Sequence, residues 1–254
     1  MHGRATFKGL NKYGTCFASQ SPRPPTRWPN RGHLEYGISI HGRLEDGRYR
    51  ISFFSLSPEI KAISPSIQHG EGPFWDVENN ELCYVDTFTA TIYRWSYDTN
   101  TITSLRLDKR DSVGVIIGVK DKPNEFIVGA DRHIYKIIWK NDTNNEIQLK
   151  MLLMMEPSKP HNQFNDGKVD GKGRLWIGTL TRNEDLSVES NGGSLYMITG
   201  NDSLHFYEKI THTSISNGLA WSGDSKFMYY IDSKKRTVIS YAFDETEGNL
   251  GKYK

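Results

Sequence analysis

The sequence predicts an all-β protein built as about four blades of a β-propeller, preceded by an irregular N-terminal extension. Three observations lead there. Short runs rich in Val, Ile, Tyr and Trp alternate with turn residues from Pro58 onward. No stretch reads as a long amphipathic helix. A unit of three strand-like runs recurs four times along the chain.

Residues 1–57 differ from the rest of the chain. They are rich in Arg, Gly and Pro, as in Ser21-Pro-Arg-Pro-Pro-Thr-Arg-Trp-Pro-Asn30, and carry nine Lys/Arg against three Asp/Glu up to Leu56. A period of 2 appears only at Tyr49–Leu56. This composition predicts a disordered or irregular extension, with residues 58–254 forming the propeller. The basic, initially acid-free start also fits a transit segment, but its prolines spoil an amphipathic helix and serine is sparse.

The first repeat unit runs Gly72-Pro-Phe-Trp-Asp76, Leu82-Cys-Tyr-Val-Asp86 and Ile92-Tyr-Arg-Trp95, with turn residues at Glu78-Asn79-Asn80. A weaker copy starts at Gly114 and continues through Glu125-Phe-Ile-Val128 to Ile134-Tyr-Lys-Ile137. The third runs Gly167-Lys-Val-Asp170, Leu175-Trp-Ile-Gly178 and Gly193-Ser-Leu-Tyr196, and contains a longer loop, Thr181–Gly192. The fourth runs Gly218-Leu-Ala-Trp-Ser222, Phe227-Met-Tyr-Tyr-Ile-Asp232 and Val238-Ile-Ser-Tyr241. The leading glycines lie 42, 53 and 51 residues apart. That spacing suits a four-stranded blade, which cannot bury both faces alone and so must stack on neighbours.

Composition narrows the function. The whole chain carries 32 Lys+Arg and 30 Asp+Glu, so its charge gives no case for nucleic acid or a membrane surface as partner. No apolar run approaches the roughly 20 residues of a spanning helix, and the first 30 residues lack the apolar core of a secretory signal. Only two cysteines, Cys16 and Cys83, are present. Cys83 lies in an apolar run and reads as a buried, inert thiol. A reducing, cytoplasmic setting follows, in which the sequons at Asn141 and Asn201 carry little meaning.

In a propeller the innermost strand of each blade lines a central channel. The repeat register places a polar residue just ahead of the glycine in three units: Glu71, Asp166 (with Asn165 before it) and Asn217. The weak copy has Val113 there. A carboxylate with amide oxygens from separate blades is a hard oxygen set, suited to calcium, magnesium or manganese. The competing expectation is that Asx-Gly pairs simply make turns. His69 reads as a flanking strand histidine, His161 as a residue at the channel mouth, and Trp75, Trp176 and Trp221 as core packing.

Gly70-Glu-Gly-Pro-Phe-Trp75, Phe164-Asn-Asp-Gly-Lys-Val-Asp170 with Gly173-Arg-Leu-Trp-Ile-Gly-Thr179, and Ser216-Asn-Gly-Leu-Ala-Trp-Ser222 with Tyr229-Tyr-Ile-Asp-Ser233 resemble the regucalcin family. That family is also called senescence marker protein, gluconolactonase or luciferin-regenerating enzyme. The resemblance covers residues from about Pro58 to the C-terminus. It implies a six-bladed propeller with one divalent metal ion, calcium, with zinc, manganese or magnesium as alternatives, and a small lactone as substrate. It implies Glu71 as carboxylate ligand, Asn217 as amide ligand, and Asn165 as the residue meeting metal-bound water or substrate. The register alone favours Asp166 over Asn165.

Three departures accompany the resemblance. The family's general base is an aspartate of a Pro-Asp-Gly motif in a later blade, so no catalytic residue of that kind is present and it is expected beyond Lys254, in a truncated or incomplete chain. Gln163 stands where the family carries a substrate-binding arginine. Asn183 stands where a substrate-contacting glutamate is expected. An amide does not reproduce a guanidinium's bidentate grip. The function implied is metal-dependent lactone hydrolysis; the alternatives are a non-enzymatic calcium-binding regulator or an inactive truncated isoform.

Overall fold

A computed structural model describes residues 37–43 and 49–54 at the backbone level, and residues 61–140, 147–200 and 203–253 in full. The remainder of the extension, Cys16 and the two sequon asparagines lie outside the described residues. Within the extension, β1 (Gly37–Arg43) and β2 (Tyr49–Phe54) form an antiparallel hairpin. It belongs to a separate compact unit, Gln20–Pro65.

The second unit consists of four four-stranded antiparallel sheets, as the repeat predicts. The first blade is β3 (Gly70–Asp76), β4 (Glu81–Asp86), β5 (Thr91–Ser96) and β6 (Ile102–Arg106). The second is β7 (Val113–Gly118), β8 (Glu125–Ala130), β9 (His133–Trp139) and β10 (Ile147–Met154). The third is β11 (Asn162–Val169), β12 (Leu175–Thr181), β13 (Gly193–Thr199) and β14 (His205–Thr213). The fourth is β15 (Ser216–Trp221), β16 (Phe227–Asp232), β17 (Thr237–Asp244) and β18 (Asn249–Tyr253). Strands pair in sequence order within every blade, and β3, β7, β11 and β15 are each the first strand of a sheet. β7 touches β3 and β11, and β11 touches β15. The described residues contain no helix, hence none long and apolar enough to cross a membrane.

The core lies between blades. Blades one and two enclose Val85, Ile92, Val113, Ile116, Phe126 and Trp139. Blades two and three enclose Val115, Ile134, Phe164, Ile177 and Tyr196. Between blades three and four Trp176, Trp221 and Phe243 meet edge to face or tilted, with centroids 5.9–6.1 Å apart. Trp75 differs from the other two tryptophans: it is only half-buried and joins none of these clusters. Cys83 is fully buried, and burial pushes its thiol pKa up.

A repeated polar clasp closes three blades. Asp86 accepts from the backbone N–H of Gln68 and His69, Asp131 from Asp111 and Ser112, and Asp232 from Ser214 and Ile215. Each carboxylate at or just after the end of a second strand thus fixes the chain entering the innermost strand. The bonds are charge-assisted, which explains why aspartate recurs there.

Candidate metal and substrate site

Each innermost strand carries a β-bulge at one equivalent place. The register slips between Glu71 and Phe74, Val113 and Val115, Phe164 and Gly167, and Asn217 and Leu219. A bulge re-aims side chains at a strand end. Here it falls on every residue that the repeat register singles out, with Val113 filling the place in blade two.

Glycines at the bulges let neighbouring strands approach. Gly72 has φ +53°, and a Cβ there would stand 2.8 Å from the Gly114 carbonyl oxygen. A Cβ on Gly114 would in turn collide with the Asn165 carbonyl oxygen. β3, β7 and β11 are therefore packed backbone to backbone at the level of Glu71 and Asn165.

Asp166 joins the pieces. Its carboxylate accepts from Gly167 N at 2.8 Å, and the Gly218 N–H of the next blade lies close enough to draw its pKa down. Burial raises its pKa, against the pull of those amides and of Lys168. Glu71 is pushed up to about 7, first by burial and second by the charge of Asp166, with the Gly72 N–H opposing. Asn217 stands beside Gly218: its Oδ1 accepts from Gly218 N at 3.0 Å and its Nδ2 donates to Ser233 Oγ at 3.0 Å. Asn165 donates through Nδ2 to Ser216 O at 2.9 Å. Three of the residues anticipated from sequence, Glu71, Asn165 and Asn217, thus gather around Asp166.

This set fits a divalent cation on the chemistry of its donors. Burial first, and then repulsion from the Asp166 carboxylate, disfavour the ionised form of Glu71. A cation between them relieves that repulsion. The Asn217 carbonyl oxygen keeps a second lone pair after accepting from Gly218. The amide hydrogens of both asparagines are tied back to serines, which turns their oxygens away from those contacts. Among the described residues no trio of His, Cys, Asp and Glu forms a metal cluster, so any ion would rely on amide oxygens.

The other two anticipated residues take no part in these hydrogen bonds. Gln163 lies on β11 with its Nε2 buried and lacking an acceptor. Asn183 is spent on the following loop: its Nδ2 donates to Ser187 Oγ, its N to Ser187 O, and its O accepts from Leu186 N. That loop and the exposed His161 line an open depression together with Glu184 and Asp185.

A second group was not legible as a group from the sequence. His69 Nε2 is 3.7 Å from Glu71 Oε1, and its ring stacks on Phe88 with centroids 4.9 Å apart. The guanidinium of Arg182, from blade three, lies 5.2 Å over the other end of this row, the Phe88 ring. Burial, then the Arg182 charge, holds the His69 pKa below its ordinary value, with Asp86 opposing. Phe88 sits in the turn after β4 and Arg182 just after β12, so only the packing of the blades brings them together.

Comparison with known proteins agrees with this architecture. A family model described as SMP-30/Gluconolactonase/LRE-like region matches residues 69–254. Regucalcin of Gallus gallus is 31% identical over 185 residues, covering 72% of this chain and 58% of that protein. A solved luciferin-regenerating enzyme is 32% identical with a TM-score of 0.66, covering 74% of this chain and 60% of that one. A calcium-binding regucalcin from Agrobacterium tumefaciens shares the fold at 21% identity, with a TM-score of 0.64. The chain spans about 60% of the length of the relatives it matches.

Proposed function

Because this chain belongs to the SMP-30/gluconolactonase/LRE-like family, we propose that its propeller carries the divalent-metal site of a hydrolase acting on small lactones. The observation that carries the proposal is the convergence of Glu71, Asn165 and Asn217, from three blades, about the desolvated Asp166. Glu71 and Asn217 would hold the ion, calcium in the first instance, and Asn165 would contact water or substrate beside it.

Hydrolysis of a lactone forms a bond from water oxygen to the carbonyl carbon and breaks the ring C–O bond, which leaves a hydroxy acid. The bound ion supplies Lewis acidity toward the carbonyl. The chain's own residues supply the frame. Glu71, with a pKa of about 7, would hold the ion as a carboxylate and give up its proton in doing so. Asp166 places a second carboxyl group next to Glu71, held by the Gly167 N–H. Asn165, pinned to Ser216 O, offers a fixed amide oxygen to a water or hydroxyl group.

The test is hydrolysis of gluconolactone followed by pH-stat titration, with chelator and then with added calcium, manganese or zinc. Ion-dependent turnover lost in Glu71→Ala is the expected result. Stoichiometric ion binding with no turnover would instead favour a calcium-binding regulator.

A further inference from the structure

The guanidinium of Arg182 is tethered on one side and lacks a partner at Nε on the other. Nη1 donates to Leu186 O at 3.0 Å, within the turn that Asn183, Asp185 and Ser187 fold. Nε is buried and has no acceptor. Among the described residues no carboxylate lies within ion-pair distance of Arg182. A half-buried cation with no counter-ion and an Nε–H without an acceptor is costly, because its lost hydration is only partly replaced. Phe88 beneath it fixes the plane of the guanidinium.

A second donor lacks an acceptor on the same surface. Gln163 pairs with Leu180, and Arg182 N donates to His161 O. Strand alternation therefore puts the side chains of Gln163 and Arg182 on one face of the β11–β12 pair. Gln163 Nε2 is likewise buried without an acceptor. Two unsatisfied donors on one face, at the end of the row Glu71–His69–Phe88–Arg182, call for a ligand rich in acceptor oxygens.

We infer that Arg182 is a specificity-determining residue that receives a carboxylate borne by the substrate, so that the preferred lactone is a monoanion; this rests on the hydrolase reading above. With Nη1 committed to Leu186, the edge made by Nε and Nη2 remains, and that edge matches one planar carboxylate bidentately. A phosphate dianion fits less well, because Glu184 and Asp185 follow directly in the chain and line the neighbouring depression. Asn183 contributes indirectly, by folding the turn whose Leu186 carbonyl orients the guanidinium.

The experiment uses tetrahydrofuran-2-carboxylate and its neutral primary carboxamide, non-hydrolysable rings of lactone size, titrated calorimetrically. A chelator is present throughout, so that the carboxylate reports the arginine and not an ion. The unsubstituted protein is expected to bind the carboxylate about tenfold more tightly than the carboxamide. Arg182→Met should bring the two within about twofold of each other, and Arg182→Lys, which keeps charge but loses the planar fork, should fall between. Far-UV circular dichroism checks that both variants fold. Equal affinity for the two ligands in the unsubstituted protein overturns the inference, as does a preference that survives Arg182→Met. The hydrolase reading is decided separately, by ion-dependent turnover of a neutral lactone, and its failure leaves the ligand preference measurable.

Discussion

Glu71→Gln should stabilise the metal-free protein while abolishing ion binding. Burial and the Asp166 charge raise the Glu71 pKa from 4.5 to about 7. At about 1.4 kcal/mol per pH unit, that difference amounts to about 3 kcal/mol. The sign follows from which state ionises first. Below pH 4.5 the carboxyl is protonated in both folded and unfolded chains, and its contribution to stability is fully present. Between 4.5 and 7 the unfolded chain ionises while the folded one resists, so stability drains away as pH rises. Above 7 both are ionised and the whole loss is felt. Glutamine keeps the shape and never ionises. In urea titrations with chelator, Glu71→Gln should therefore match the unsubstituted protein near pH 4.5 and exceed it by about 3 kcal/mol at pH 8. Saturating calcium should reverse the order, because only the carboxylate gains by mass action. A stability difference that stays constant from pH 4.5 to 8 would refute the electrostatic reasoning at this site.

Further outcomes rest on the same geometry. Apparent calcium affinity should fall about tenfold for each pH unit below 7 and level off above it, since a proton competes for Glu71; a flat calorimetric profile from pH 5 to 8 contradicts this. Asp232→Ala removes the acceptor of two backbone N–H groups from a carboxylate that is 1% exposed, and should cost about 3 kcal/mol in denaturant unfolding. Gly114→Ala drives a methyl into the Asn165 carbonyl, so a loss of about 2 kcal/mol or more is expected, with weakened ion binding because β7 and β11 must separate. Cys83, fully buried and with a raised pKa, should resist thiol reagents in the native protein and react on unfolding, as mapped by peptide mass spectrometry.

The fold was largely legible because each blade repeats a short, local pattern. Even the weak copy from Gly114 becomes a complete blade, with β7, β8 and β9 on the runs read from sequence. The fourth strands were harder: β10 and β14 are mostly exposed and lack clean alternation. The hairpin β1–β2 shows the same limit, since only Tyr49–Leu56 carries a strand-like period. Analogy with Trp176 and Trp221 puts Trp75 in the core, yet it ends half-buried. It belongs to the first blade, with no preceding blade among the described strands to cover it.

The site was legible where it follows the repeat and obscure where it does not. Glu71, Asp166 and Asn217 sit at the bulge of three innermost strands, so register alone brings them into view. Between the neighbours Asn165 and Asp166, register alone favours Asp166, and only the resemblance points to Asn165. The structure gives them different tasks: Asn165 ties β11 to Ser216, and Asp166 accepts from Gly167 N and presses on Glu71 by its charge. Arg182, Phe88 and His69 come from two turns and a strand entry of non-adjacent blades, and no spacing rule links them. One cue was available in Gln163, which stands where the resemblance implies a substrate-binding arginine.

The most direct test of a divalent-metal centre on the channel axis is calorimetric titration of calcium into chelator-stripped protein at pH 8, beside Glu71→Gln and Asn217→Ala. One ion per chain, with binding lost in Glu71→Gln and weakened in Asn217→Ala, is the predicted result. Undiminished binding in both variants would place the ion elsewhere and contradict the account.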